Sequence, residues 1–129
     1  MSEPKYIYFF ARKEKFHSLS NFSNHAVTIA NRKYQTGEHS FHGEKYYLIG
    51  QNCNNKSRKE KLIAYSKKFQ ELSVYKTPAE AKRAGGKKGF ALMKDELEFW
   101  DTVNIDVQKK ICHWKITNYK EVKDDLKKK

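Results

Sequence analysis

Four apolar side chains, Val103, Val107, Ile111 and Trp114, recur at intervals of 4, 4 and 3 residues. That is the period of one helical face, and it predicts a helix from Phe99 or Trp100 to about Trp114 whose stripe must be covered by another layer of the protein. Other segments supply that layer. Thr77-Pro78-Ala79-Glu80 combines an N-cap hydroxyl, a proline at the first helical position and a glutamate three residues after the cap. Hydroxyl and carboxylate can satisfy free N–H groups, and proline has none to satisfy. A short helix is therefore expected from Pro78 to about Ala84, ended by the left-handed or permissive backbone of Gly85-Gly86. From Glu38 to about Ile49, Phe41, Tyr46, Leu48 and Ile49 suggest a helix with Thr36 or Gly37 near its N-cap and Gly50 at its end. The asparagine-rich stretch from Gln51 to Arg58 reads as a loop. Lys59 to Phe69 reads as a helix buried through Leu62, Ile63, Tyr65 and Phe69. Thr117 or Asn118 is positioned to cap a last helix reaching Leu126, with Lys127-Lys128-Lys129 as a frayed end.

Strand signals are confined to the N-terminal part. Tyr6 to Phe10 is aromatic and β-branched, and Val27-Thr28-Ile29 and Arg32-Lys33-Tyr34 flank Ala30-Asn31 as the arms of a tight hairpin. The expectation is an α+β, helix-rich domain with a small N-terminal antiparallel β element. A chain of 129 residues suits one domain, without internal repeat or linker, and 38% hydrophobic and 14% aromatic residues suffice for a core without metal or disulfide staples. The longest apolar run, Tyr6 to Ala11, is far below the ~20 residues of a membrane span. The start Met-Ser-Glu-Pro-Lys lacks the basic and apolar pattern of a secretory signal, so a cytoplasmic, intracellular location is expected. Cys53 and Cys112 are isolated, which reads as two reduced thiols and argues against zinc.

The formal charge is +12, from 27 Lys and Arg against 15 Asp and Glu. Such a field favours anionic partners, a phosphorylated small molecule or a nucleic-acid backbone. Yet the excess is mainly dispersed lysine, which solubility alone also explains.

Gly-rich phosphate loops, His-Glu-x-x-His metal motifs and Gly-x-Ser-x-Gly nucleophile elbows are absent from the sequence. What remains is the segment from Tyr34 to Lys45, which gathers ionisable groups at the head of a helix directly after a strand. Glu38 there is favoured as an anion by the helix dipole, by about 0.3–1 kcal/mol. Glu38, His42 and Lys45, spaced by 4 and 3, share one helical face with Phe41 close to it. A plainer reading leaves Glu38 as a complement to the dipole, with His39 or His42 packed against aromatics.

Taken in order, Ser18-Leu19-Ser20-Asn21-Phe22, Tyr34 with Glu38-His39-x-Phe41 and Lys45, Ala79-x-Ala81-Lys82-Arg83 with Gly85, and Trp100-Asp101-x-Val103 with Lys115 resemble the segments of the NADAR (YbiA-like) family. The resemblance runs over about residues 7 to 126. It implies a single helix-rich α+β domain that cleaves the N-glycosidic bond of a ribose derivative without a cofactor or metal. The implied substrate is a phosphorylated ribosylamino-pyrimidine intermediate of riboflavin synthesis, or ADP-ribose attached to a nucleobase, including one carried on a nucleic acid. Glu38 is then the catalytic carboxylate, since hydrolysis at the ribosyl carbon passes through an oxocarbenium-like state. Ser20 and Asn21 are placed to hold ribose hydroxyls, Lys45 to pair with phosphate, and Phe22, Phe41 or Trp100 to stack on the base or to build the core beneath it. His42, Lys82 and Arg83 complete the implied binding set. The sequence departs from the family at His42-Gly43, where Gln-Ala is usual, at Gly37, and at Gly86 in place of an arginine, for which Lys87 and Lys88 are near substitutes. It also ends near Lys129, short of a further helix and a Trp-Gly segment, so the expectation is either a shortened chain or a reduced version of the protein whose activity is altered or lost. Two other classes stay open: a module that binds ADP-ribose or a nucleotide without hydrolysing it, and a small basic nucleic-acid-binding domain.

Overall fold

In the computed structural model, residues 21–23, 25–70, 74–86, 89–120 and 122–123 are described. The expected strand at Tyr6 to Phe10, together with Ser20, Lys87, Lys88 and the terminal lysines, lies outside them. The hairpin forms as read. β1 (Val27–Ile29) pairs antiparallel with β2 (Arg32–Tyr34), Val27 opposite Tyr34 and Ile29 opposite Arg32. Ala30 and Asn31 turn the chain with φ of 47° and 70°, both left-handed. That is the backbone a two-residue turn needs to match the twist of its strands.

Four helices follow among the described residues: α1 (Gly37–Asn52), α2 (Lys56–Lys67), α3 (Pro78–Ala84) and α4 (Lys94–Asn118). This is a helix-rich α+β architecture in which α1 is central, packing against the other three helices and beneath the hairpin. Val107 and Ile111 of α4 are buried as expected, with Val103 and Trp114 partly buried beside them. They meet Val27, Ile29 and Tyr34 of the hairpin and Ile49 and Tyr46 of α1 in one core. On the α2 side the core is aromatic: Tyr46 stacks on Phe69 with centroids 5.8 Å apart and meets Tyr65 edge-on at 4.7 Å. No helix among the described residues is long and apolar enough to cross a membrane.

α3 matches its expected bounds, and Thr77 Oγ1 accepts from Glu80 N at 3.1 Å. Glu80 reaches back one residue further than a capping box requires, to Lys76 N at 2.7 Å. Other boundaries need correction. Gly50 does not end α1; it faces Leu62 and Ile63 across the contact with α2, and the helix continues to Asn52. The loop shrinks to residues 53–55 because Asn55 accepts from Arg58 N at 2.8 Å and so starts α2 three residues early. α4 begins at Lys94 rather than Phe99 or Trp100: the Glu96 carboxylate accepts from Met93 N at 2.8 Å and receives the Arg58 guanidinium of α2 in a paired contact of 2.8 and 2.6 Å. Thr117 and Asn118 remain inside α4, and the chain breaks at Tyr119 instead, whose carbonyl accepts from Val122 N and Lys123 N.

Candidate active site

Thr36 sets the geometry of the α1 head. Its hydroxyl oxygen accepts from His39 N at 3.2 Å as the N-cap and lies 2.8 Å from His39 Nδ1. His39 Nε2 sits 2.6 Å from the Tyr75 carbonyl, which can only accept. The ring proton is therefore on Nε2, and the Thr36 hydroxyl donates to Nδ1. Burial keeps this histidine below its ordinary pKa, so it is a neutral, fully satisfied fixture of the core.

Glu38 lies one position before it, in the first turn of α1, and is only 7% exposed. Its backbone N–H donates to the Asn21 carbonyl at 2.8 Å, fixing the Asn21-Phe22 turn against the helix head. The approach is close because Gly37 has no side chain: a Cβ there would run into Asn21. One Glu38 oxygen, Oε1, accepts from His42 Nε2 at 2.8 Å, the i,i+4 partnership expected from the spacing. The other has no hydrogen-bond partner among the described residues. On the far side of the same imidazole, Nδ1 is buried without a partner. The ring is pressed there against Gly85, where a Cβ would collide with it. Gly85 ends α3 as expected, but the left-handed half of the expected left-handed or permissive backbone is corrected. Gly85 has φ −89° and ψ 0°, and no glycine among the described residues has a positive φ. The residue is small because His42 fills the space.

Lys45, the third residue of the face, donates through Nζ to the Gly85 carbonyl. Burial lowers its pKa to about 8, against a smaller opposing pull from the Glu38 charge. Lys45 also lines a cavity of about 400 Å³ together with Tyr46, Gly85, Gly86, Phe90 and Leu92. Glu38 is not part of that lining and lies beyond His42 along the helix.

The remaining expected residues divide. Phe41 and Trp100 meet edge to face with centroids 5.1 Å apart, and Trp100 is buried in the core, so both support the α1 head from below. Phe22 is half-buried with the Lys82 ammonium 5.6 Å from its ring centroid, which brings one α3 cation to the Asn21 turn. Arg83 is exposed and opens on a different hollow, beside Tyr65, Tyr75 and Glu80. Asn21 is near Glu38, but its side-chain amide turns to Gln108 of α4 in a reciprocal pair, 2.8 and 3.1 Å. Gln108 escapes a reading based on apolar spacing, because it flanks the Val107 and Ile111 stripe as an ordinary polar neighbour. A second tie of the same loop is also missed: Lys115, fully buried in α4, donates to Ser23 Oγ at 2.8 Å, and burial lowers its pKa to about 8. Together these bonds hold the segment after Asn21 across α1 and α4. No protein-family model matches the chain, and no curated protein or solved structure does so significantly.

Proposed function

We propose that the protein is an N-glycosidase that hydrolyses the ribose C1′–N bond of a phosphorylated ribosylamino-pyrimidine or of an ADP-ribosylated nucleobase, with Glu38 as the catalytic carboxylate. The observation that supports this reading best is the state of Glu38. It is almost buried at the head of α1, with one oxygen held by His42 and the other left without a partner. At a position this largely buried, a fixed carboxylate stabilises developing positive charge more than it does in bulk solvent. Placed under the anomeric carbon, Glu38 stabilises the oxocarbenium-like state and takes a proton from the attacking water. Water oxygen bonds to C1′, the C–N bond breaks, and the base departs with the proton. His42 holds the carboxylate in orientation. Lys45 pairs with a substrate phosphate by giving up its bond to the Gly85 carbonyl, and the Asn21 turn and Phe22 approach the ribose and base.

Glu38→Gln tests the reading, since glutamine keeps the shape and loses the charge. Base release from ADP-ribosylated guanosine and from the phosphorylated ribosylamino-pyrimidine, followed by chromatography, is expected to fall by ~10²–10³ or more with the melting temperature nearly unchanged. Equal turnover by wild type and variant sinks the catalytic role. Binding without turnover in both moves the protein to a non-hydrolysing module. Oligonucleotide affinity that falls steeply with salt, without base release, moves it to a nucleic-acid-binding domain.

A further inference from the structure

The opposite end of α1 opens on a larger cavity of about 590 Å³, formed where the residue 52–55 segment passes between α2 and the start of α4. It begins at Ile49, about 16 Å along the helix axis from Glu38, so it is a separate place in the fold. One wall is apolar, from Ile49, Met93 and Phe99. A second is neutral and polar, from Asn52, Asn54, Asn55 and Ser57. The Asn55 amide oxygen is used to cap α2, but the side chains of Asn52, Asn54 and Ser57 have no hydrogen-bond partner among the described residues. The charged residues cancel. Arg58 and Glu96 are locked together in their paired contact, and Lys61 is balanced by Asp95.

A lining whose own charges cancel gives neither an anion nor a cation a local partner that offsets its desolvation. It favours a neutral ligand with one flat apolar surface and an edge where donors and acceptors alternate. Each free asparagine offers an acceptor and two donors side by side, the pattern that pairs with the edge of an amide-containing heterocycle, and Phe99 offers a ring for its face. The volume lies within the range of small-molecule sites. We propose that this cavity is a nucleobase site, which takes an uncharged purine or pyrimidine nucleoside, distinct from the Glu38 centre. The base edge is read by Asn52 and Asn54, its face lies toward Phe99, and the ribose lies toward the cavity mouth.

The chain carries its own reporter. Cys53 lines the cavity and is partly exposed, whereas Cys112, the second thiol of the chain, is fully buried. In the Glu38→Gln protein, where the proposed turnover is suppressed, guanosine and cytidine should slow maleimide labelling of Cys53 saturably, by about fivefold or more at full occupancy. The double substitution Asn52→Ala and Asn54→Ala, at two exposed positions, should weaken that protection by about tenfold. Equilibrium dialysis of guanosine against Cys53→Ser reads the same binding without the thiol. No protection and no dialysis signal up to millimolar nucleoside overturns the proposal. So does equal protection by free ribose or glucose, or protection that ignores the asparagine substitutions. Because the readout is occupancy of Cys53, this result and base release by wild type can fail independently.

Discussion

Two buried carboxylates on the same helix face different sides of it and have different fates. Glu44 turns to the hairpin, where it is 2% exposed and receives three donors: Arg32 Nε at 2.6 Å, Arg32 Nη2 at 2.9 Å and the Tyr34 hydroxyl at 2.6 Å. Arg32 is held in turn over the Tyr47 ring, 3.8 Å from its centroid. Burial, with the neighbouring carboxylate adding to it, pushes the Tyr34 hydroxyl well above its ordinary pKa, and the hydrogen bond to the same carboxylate raises the Arg32 guanidinium against the opposing effect of burial. Glu38, on the side of the Asn21 turn, is nearly as buried and has one donor. Similar burial with such unequal satisfaction separates a carboxylate committed to holding the fold from one left with capacity for another group. Glu44 is closed off by its three donors, whereas the second Glu38 oxygen keeps contact with solvent and can take a further donor without first giving up a bond.

The largest effect that can break this contrast is on stability. Glu44→Ala strands Arg32 and the Tyr34 hydroxyl together and should cost about 3–5 kcal/mol, the range for removing one partner of a buried pair. Glu38→Ala strands one His42 nitrogen and should cost about 1–3 kcal/mol. Urea unfolding of the two variants measures both. Equal losses would mean that Glu38 is as structurally committed as Glu44, and the proposed division of roles would fall.

A smaller effect sharpens it through Lys45, which lies on the Glu38 side. Its pKa is near 8 in the folded chain, below the ordinary 10.5. Between those values the unfolded chain holds more protons than the folded one, so this lysine makes stability rise with pH through that window. Below pH 8 the whole cost of the buried ammonium is present. Lys45→Met should remove a rise on the order of 2–3 kcal/mol between pH 7 and 10, read as the difference between the two stability curves so that Lys115, Cys112 and the tyrosines cancel. Because the Glu38 charge helps to hold the proton, Glu38→Gln should move the Lys45 titration further down when followed by lysine NMR, and Glu44→Gln should leave it in place. A Lys45 titration that ignored Glu38 would show that the two residues do not share a site.

What the sequence makes legible here is what neighbouring residues settle among themselves. The start of α3 is fixed by Thr77, Pro78 and Glu80, and the Glu38 to His42 contact follows from helical spacing. The reasons behind other features are carried by partners far along the chain. The start of α4 depends on Glu96 being grasped by Arg58 of α2, and without that partner the run Lys94-Asp95-Glu96, with Glu98 beyond it, looks too polar to open a buried helix. Gly85 has the look of a helix terminator, yet its size is set by the His42 ring. Asn21 looks free to hold a ligand, and its amide is taken by Gln108, 87 positions later. Unpartnered atoms, such as His42 Nδ1 and the second oxygen of Glu38, can be recognised only once every neighbour is placed.

The hairpin turn provides the smallest and most selective test. Ala30 and Asn31 both adopt left-handed backbone, a conformation that glycine and asparagine accept readily and alanine does not. Replacing the pair by Asn-Gly, through Ala30→Asn and Asn31→Gly, gives the turn the residues best suited to its φ values, and should stabilise the protein by about 0.5–1 kcal/mol. The gain arises where β2 begins and presents Arg32 to Glu44, so it strengthens the saturated side of α1 alone. A thermal melt should show the higher midpoint, while the base release proposed for Glu38 should stay at the wild-type rate. If stiffening the turn also changed turnover, the two sides of the helix would be coupled through α1, and the carboxylates would have to be treated as one network rather than as two independent charges.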